Sequence, residues 1–258
     1  MEKYTLITGG ASGLGLELSK LFAQDGNNLF LVSSNIKNLE SAKELIEKDS
    51  GVKVHILAVD LTNPGNFLQV KEYSDKNDLF INNLVNCAGF GDRTDFKDMD
   101  IDRQIKMVEL NCNAPLYLMR VYLDNMLKYE EGHILNISSI AAFYPGPYMC
   151  TYHATKAFLL NISEAIEREL KGTKIKLTTV CPGPFESGFV EKAKNNYTFK
   201  KIKPISTKKA ADITYTAFKK NKSLKVIGFG NQLTAFVSRF FPRKFITNVS
   251  VTNIKKEA

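Results

Sequence analysis

Apolar runs of strand length alternate with helical patterns along most of the chain, and that rhythm confines it to few architectures. Tyr4 to Thr8 reads as a buried strand, and a helix starts near Leu14 with its apolar side running through Leu21 and Phe22. The next strands fall at Asn28 to Ser33, at Val52 to Val59 and at a run closed by Leu84-Val85-Asn86. Charged helical residues from Asn38 to Lys48 separate the second from the third. A long helix is expected from about Ile101 to Leu127, a fifth strand from His133 to Ser138 and a second long helix from Tyr152 to Leu170. Lys174 to Val180, Thr207 to Lys220 and Leu224 to Ile227 complete the series as strand, helix and short strand. Parallel strands joined by crossover helices are the economical way to bury such a pattern. The expected fold is α/β, with a doubly wound, mostly parallel sheet in a three-layer α/β/α arrangement. No Pro/Gly-rich linker and no repeat divides the 258 residues, so one domain is expected over 1–258.

The turn between the first strand and the first helix is Thr8-Gly9-Gly10-Ala11-Ser12-Gly13-Leu14-Gly15. Glycines let backbone approach a ligand closely, and a helix N-terminus offers free N–H groups and the positive end of a dipole. The physics suits a pyrophosphate. The spacing is Gly-x-x-x-Gly-x-Gly rather than the commoner Gly-x-Gly-x-x-Gly. After the second strand stands Ser33-Ser34-Asn35-Ile36-Lys37, with no acid to bind a ribose 2′-hydroxyl and no arginine. Ser33, Ser34 and Asn35 can donate to a 2′-phosphate, and Lys37 could add charge.

A second constellation lies further on. Tyr152 and Lys156 are four apart, which puts them on one helix face. A phenol near its ordinary value of about 10 is a poor proton donor at neutral pH, and an adjacent ammonium would lower it. Ser139 closes the fifth strand 13 residues before Tyr152. Ser138, beside it, reads as a turn residue facing the other way. Asn111 sits within the long helix, with Asn113 as a fallback for the same role.

Taken together these residues resemble the short-chain dehydrogenase/reductase family. Thr8 to Gly15 fits its Thr-Gly-x-x-x-Gly-x-Gly element. Asn86-Cys87-Ala88-Gly89 looks like its Asn-x-Ala-Gly turn, and Asp60-Leu61 like its adenine-contacting Asp after the third strand. The lesser reading of Asp60 is an ordinary strand-end turn residue. The resemblance implies a Rossmann-type fold and a nucleotide bound by Gly9, Ser12, Gly13, Leu14, Gly15, Asp60, Leu61, Asn86, Ala88 and Gly89. It implies Tyr152 as general acid/base, Ser139 as the group holding a substrate carbonyl, Lys156 on the nicotinamide ribose and Asn111 holding a water in a proton relay. Pro182-Gly183-Pro184-Phe185-Glu186-Ser187 looks like the segment beside the nicotinamide, with Ser187 where the family often has Thr. Pro182, Gly183 and Ser187 are the expected contacts.

The expected function is therefore an oxidoreductase interconverting a carbonyl and a secondary alcohol, with NADP(H) favoured over NAD(H). A non-enzymatic dinucleotide-binding redox sensor or interaction protein is the alternative. Its weakness is that a sensor needs no Ser/Tyr/Lys proton chemistry. The substrate is a small carbonyl or alcohol shaped by the loop at about 185–205, where Phe185, Phe189, Tyr197 and Phe199 hint at an apolar pocket. A homodimer or homotetramer is what the resemblance implies.

Composition adds two constraints. Cys87, Cys112, Cys150 and Cys181 are widely spaced without a Cys-x-x-Cys pair, and His55, His133 and His153 form no cluster, so no metal site is expected. No leader precedes Tyr4 and no apolar stretch approaches membrane-spanning length, which makes a cytoplasmic location the default expectation. Net charge is +8 and uneven: Lys192 to Ala258 holds 16 basic and 2 acidic residues. Such asymmetry points to a negative partner. Nucleic acid is not favoured, since the lysines are scattered and carry no recognition motif. At about 229–258, Phe229, Leu233, Phe236, Val237 and Phe240 recur at helical spacing beside Arg239, Arg243 and Lys244. A helix packed on the domain or on a second subunit is expected there, ahead of a segment that touches an anionic membrane surface or covers the substrate cleft.

Overall fold

The computed structural model describes residues 2–186 and 204–254. Seven strands form one parallel sheet in the order β3-β2-β1-β4-β5-β6-β7. They are β1 Lys3–Thr8, β2 Asn28–Ser33, β3 Val54–Ala58, β4 Phe80–Asn86, β5 His133–Ile137, β6 Lys176–Cys181 and β7 Leu224–Val226. The helices of the first half are α1 Gly13–Gln24, α2 Ile36–Ser50, α3 Leu68–Lys76 and α4 Ile101–Val108. Those of the second half are α5 Ala114–Lys128, α6 Cys150–Glu169, α7 Thr207–Lys219, α8 Phe229–Val237 and α9 Arg243–Ile254.

Strand alternation feeds two cores. In β2, Leu29 and Leu31 face α1, α2 and α7, where they meet Leu18, Phe22, Leu39 and Phe218. Phe30 and Val32 face α3, α5 and α6 and join Val70, Leu118, Tyr122 and Leu159. Period-two alternation therefore buries both faces, as a parallel sheet requires. His133 serves this packing. Its ring stacks on Phe218 with centroids 3.8 Å apart and bonds the Thr178 hydroxyl at 2.9 Å. Burial holds it neutral by lowering its pKa to about 3. His55 packs edge-on against Tyr4 and meets the Tyr73 hydroxyl at 3.3 Å.

Two elements differ from the sequence reading. α3 was not expected, because it buries only Val70 and Ser74 among charged neighbours. Ser74 is tied down by the Tyr122 hydroxyl at 2.9 Å. The expected long helix is interrupted by a wide π-turn at Glu109–Asn113. Pro115 follows one residue into α5, and having no N–H it cannot donate to the Asn111 carbonyl four residues back. Sheet order reverses at β1, whose neighbours are β2 and β4. The crevice beyond the carboxyl ends of these strands is where open α/β sheets bind ligands.

Candidate active site

A cavity of about 1480 Å³ fills that crevice. Its floor begins with the glycine turn. Gly9 and Gly13 have φ of +69° and +51°, conformations that side chains disfavour. A Cβ on Gly9 would sit 3.1 Å from the Ala88 Cα, so the turn after β1 and the turn after β4 nearly touch. Thr8 locks them together: its hydroxyl accepts from the N–H groups of both Cys87 and Ala88 at 3.1 Å. Sequence reading used Thr8 only as part of a pattern; its invitation was a hydroxyl at the end of a buried strand. Thr8→Val, nearly isosteric, removes the acceptor these two amides share, and unfolding by urea should show a loss of about 1–3 kcal/mol.

Ser12, Gly13, Leu14 and Gly15 line the cavity at the start of α1, and Ser12 is the residue that precedes the helix. Ser33, Ser34, Asp60 and Leu61 line the side beyond β2 and β3. The Asp60 carboxylate accepts from the Thr62 N–H at 3.0 Å, which shapes the turn and presents its edge to the cavity. Ala88, Gly89, Pro182 and Gly183 line the central wall. Pro182 is held by its carbonyl, which accepts from the Ile140 N–H at 2.9 Å.

Two expected contact residues also hold the fold together. Asn35 caps α2, where its side-chain oxygen accepts from the Asn38 N–H at 3.1 Å. Asn86 is buried in the sheet and donates to Asn136 at 2.8 Å rather than facing the cavity. Asn136 in turn donates to Ser163 on α6 at 2.8 Å, so a polar ladder ties β4, β5 and α6. An asparagine inside an apolar strand was the overlooked signal. Ser187 lies outside the described residues, as do Phe189, Tyr197 and Phe199.

Ser139, Tyr152 and Lys156 meet on the cavity floor. Ser139 leaves β5 extended and starts a 3-10 turn, Ile140–Phe143, accepting from the Ala141 N–H at 3.1 Å. Its hydroxyl is also hydrogen-bonded to that of Tyr152. Ser138 lines the cavity beside Ser139, and its hydroxyl donates to the Lys156 carbonyl at 2.8 Å, which fixes α6 against the end of β5. His153, on the next face of α6, bonds the Tyr144 carbonyl through Nδ1 at 2.9 Å and braces the loop that follows the 3-10 turn.

The electrostatics depart from expectation. Burial pushes the Tyr152 phenol up to about 12, and the Ser139 hydrogen bond is the main opposing influence. The Lys156 ammonium does not draw it down here. Its Nζ stands 6.0 Å from the Tyr152 ring centre and donates to the Ile137 carbonyl at 2.9 Å. Burial also lowers the Lys156 pKa, against the partial compensation of nearby cysteines. Asn111 is held rigidly. Its amide donates to the Phe90 carbonyl at 2.9 Å and to the Thr155 hydroxyl at 3.0 Å, while its oxygen accepts from the Phe90 N–H. The outer wall adds residues that no motif announced, notably Arg103, which is paired with the buried Asp92 and lies over the Phe90 ring. α8 and α9 close the far side with Leu233, Val237, Phe241, Phe245 and Val249. Among the described residues no group of three or more His, Cys, Asp or Glu side chains could hold a metal ion.

The comparisons with known proteins fall in line with this geometry. An uncharacterized oxidoreductase of Staphylococcus epidermidis is 27% identical over 190 residues, covering 74% of this chain and 81% of its own. A short-chain dehydrogenase from Sphingobium yanoikuyae, solved in complex with NADPH, superposes with a TM-score of 0.83 at 24% identity over 96% of both chains. A bulky-bulky ketone specific alcohol dehydrogenase from Comamonas testosteroni superposes at 0.79 with 23% identity, over 93% of this chain and 92% of that one. The model of the short chain dehydrogenase family matches residues 3–198, from the first strand through the glycine turn, the Ser/Tyr/Lys group and the sixth strand. This chain belongs to the short-chain dehydrogenase family, and it is an oxidoreductase by that membership.

Proposed function

We propose that this protein interconverts a carbonyl and a secondary alcohol with NADP(H) as the hydride carrier. The observation that carries the reading is the convergence of Ser139, Tyr152 and Lys156 on one cavity whose floor is the glycine turn. The residues present fit a dinucleotide. A Cβ at Gly9 would crowd the approach between β1 and β4, the α1 N-terminus faces the same space, and Asp60 stands at its edge. When bound, the nicotinamide supplies the hydride chemistry, and the protein supplies position and protons.

In reduction, the Ser139 hydroxyl holds the substrate carbonyl oxygen and Tyr152 donates the proton to it. Tyr152, raised to about 12, is a protonated donor throughout the physiological range. With a dinucleotide bound, Lys156 would hold the nicotinamide ribose hydroxyls. Asn111, whose backbone carbonyl receives no N–H from Pro115, would hold a water that passes protons on from Lys156. In the reverse direction Tyr152 must first lose its proton. Alcohol oxidation should therefore climb with pH, up to about tenfold per unit while the phenol remains mostly protonated, whereas reduction stays nearly flat from about pH 6 to 9. Initial rates in both directions across that range check the sign.

Support for NADP(H) comes from the β2 end. Ser33 and Ser34 line the cavity where an acid would repel a 2′-phosphate. Fluorescence titration of NADPH and NADH side by side tests this, with tighter NADPH expected. Ser34→Asp should weaken NADPH by about tenfold or more and leave NADH nearly unchanged. Tighter NADH binding by the unsubstituted protein would overturn the cofactor reading, and binding of neither would overturn the activity. The apolar far wall of Leu233, Val237, Phe241 and Phe245 suits a bulky apolar carbonyl. The Comamonas protein is described as specific for bulky ketones, which accords with that choice.

A further inference from the structure

α8 buries only Ala235. Phe229, Phe236 and Phe240 are 83%, 61% and 71% exposed, far beyond what an aromatic side chain keeps when its helix merely packs on a domain. Spaced four, seven and eleven residues apart with Leu233 between them, they share one side of the helix and the turn after it. The Phe236 and Phe240 rings lie 5.0 Å apart, so the surface is continuous. Contiguous apolar surface of this kind marks a docking face.

The charge around it is of one sign. Arg239, Arg243 and Lys244 are exposed, and residues 229–254 contain no Asp or Glu. None of the ion pairs among the described residues engages these three. A second cavity of about 700 Å³ adjoins the patch through Phe236 and Arg239, and Lys220, Lys222 and Lys225 line it with Asp212 as its one acid. It has the size and charge to receive phosphate headgroups.

We propose that this face docks on an anionic lipid bilayer, with the phenylalanines entering the interface and the basic residues meeting the headgroups. A second copy of the chain fits less well. Two-fold pairing of the segment on itself would bring two basic rims together with no acid in residues 229–254 to offset them. A bilayer supplies both the apolar phase and the counter-charge. Leu233 belongs to the exposed face and also to the wall of the large cavity, whose rim carries Phe241 and Phe245. An apolar carbonyl could thus pass from lipid to the site, a consequence that rests on the function proposed above. The docking itself does not. No helix among the described residues is long and apolar enough to cross a membrane, so the contact is at the surface.

The test is flotation of the full chain with phosphatidylcholine vesicles, with and without phosphatidylglycerol. Co-flotation is expected with the anionic vesicles at low salt, and should fall at least about tenfold in high salt, on neutral vesicles and in an Arg239→Glu/Lys244→Glu variant. Phe236→Ser/Phe240→Ser should lose binding too. NADPH titration and circular dichroism of both variants, expected unchanged, separate lost docking from lost folding and keep the result independent of the nucleotide reading. No flotation with anionic vesicles, equal flotation with neutral ones, or variants that float like the parent would each overturn the proposal. So would a dimer in sedimentation that Phe236→Ser/Phe240→Ser abolishes while vesicles are ignored, which would assign the face to a second copy.

Discussion

Replacing Tyr152 with Phe should leave NADPH affinity within about twofold and lower turnover by roughly 10³-fold, within the range general acid/base catalysis contributes. The structure makes this substitution informative because it removes the hydroxyl that bonds Ser139 and keeps the aromatic ring. Ser139 keeps its second bond to the Ala141 N–H. Lys156 is anchored independently on the Ile137 carbonyl. The variant therefore loses a proton donor and a hydrogen bond, not a packed side chain. Single-turnover reduction with bound NADPH reads the chemical step directly. A Tyr152→Phe protein that melts like the parent and still turns over at a comparable rate would remove Tyr152 from the mechanism. The companion substitution Lys156→Met behaves differently, because Lys156 is buried and its loss strips the Ile137 carbonyl of a donor. It should cost stability as well as rate, so its kinetics alone would not isolate a catalytic role.

The parts of this molecule legible in sequence are those where one local rule governs. β2 was read from Asn28 to Ser33, its full extent, since four consecutive buried apolar residues leave little choice. α3 was invisible, because its place is secured by one valine and a serine whose partner, Tyr122, lies 48 residues away. The same distinction runs through the site. Tyr152 and Lys156 share a helix face by spacing alone, and the structure brings both to the cavity. The state of their proton chemistry was not readable. The rise of the phenol depends on burial by distant segments, and the hold on Lys156 depends on a carbonyl of β5. Asn86 and Asn136 make the point from the other side. Each is a plain asparagine in sequence, and only sheet register reveals that β4 and β5 set them opposite one another. Asn35 shows that an amide after a strand serves a helix cap as readily as a ligand, which sequence alone does not tell apart.

Gly15→Ala is expected to be more damaging than Gly13→Ala. Gly13 has a φ of +51°, which an L side chain adopts at a cost of about 1–2 kcal/mol, yet a Cβ there would meet nothing within 4 Å. Gly15 lies inside α1 and carries no such conformational demand, but its Cβ would overlap the Gly9 carbonyl oxygen and come within 2.7 Å of the carbonyl carbon. The obstruction is backbone, and no side-chain rotation relieves it. Either α1 backs away from β1 or the Gly9 peptide turns. Both movements disturb the Thr8 anchor on the Cys87 and Ala88 amides and the packing of Ser19, whose hydroxyl donates to the carbonyls of Gly10 and Gly15 at 3.0 and 2.8 Å. Overpacking of this kind costs about 3 kcal/mol at the upper end of its usual range, or roughly 6–12 °C in melting temperature for a chain of this size. Because the displaced atoms are those nearest the α1 N-terminus, nucleotide affinity should fall with stability, whereas Gly13→Ala should lower stability modestly and retain a folded α1. Parallel thermal melts with and without NADPH separate the cases. If Gly15→Ala melts within a degree or two of Gly13→Ala and keeps the same shift on adding nucleotide, close approach of α1 to β1 is not what the third glycine of the turn provides.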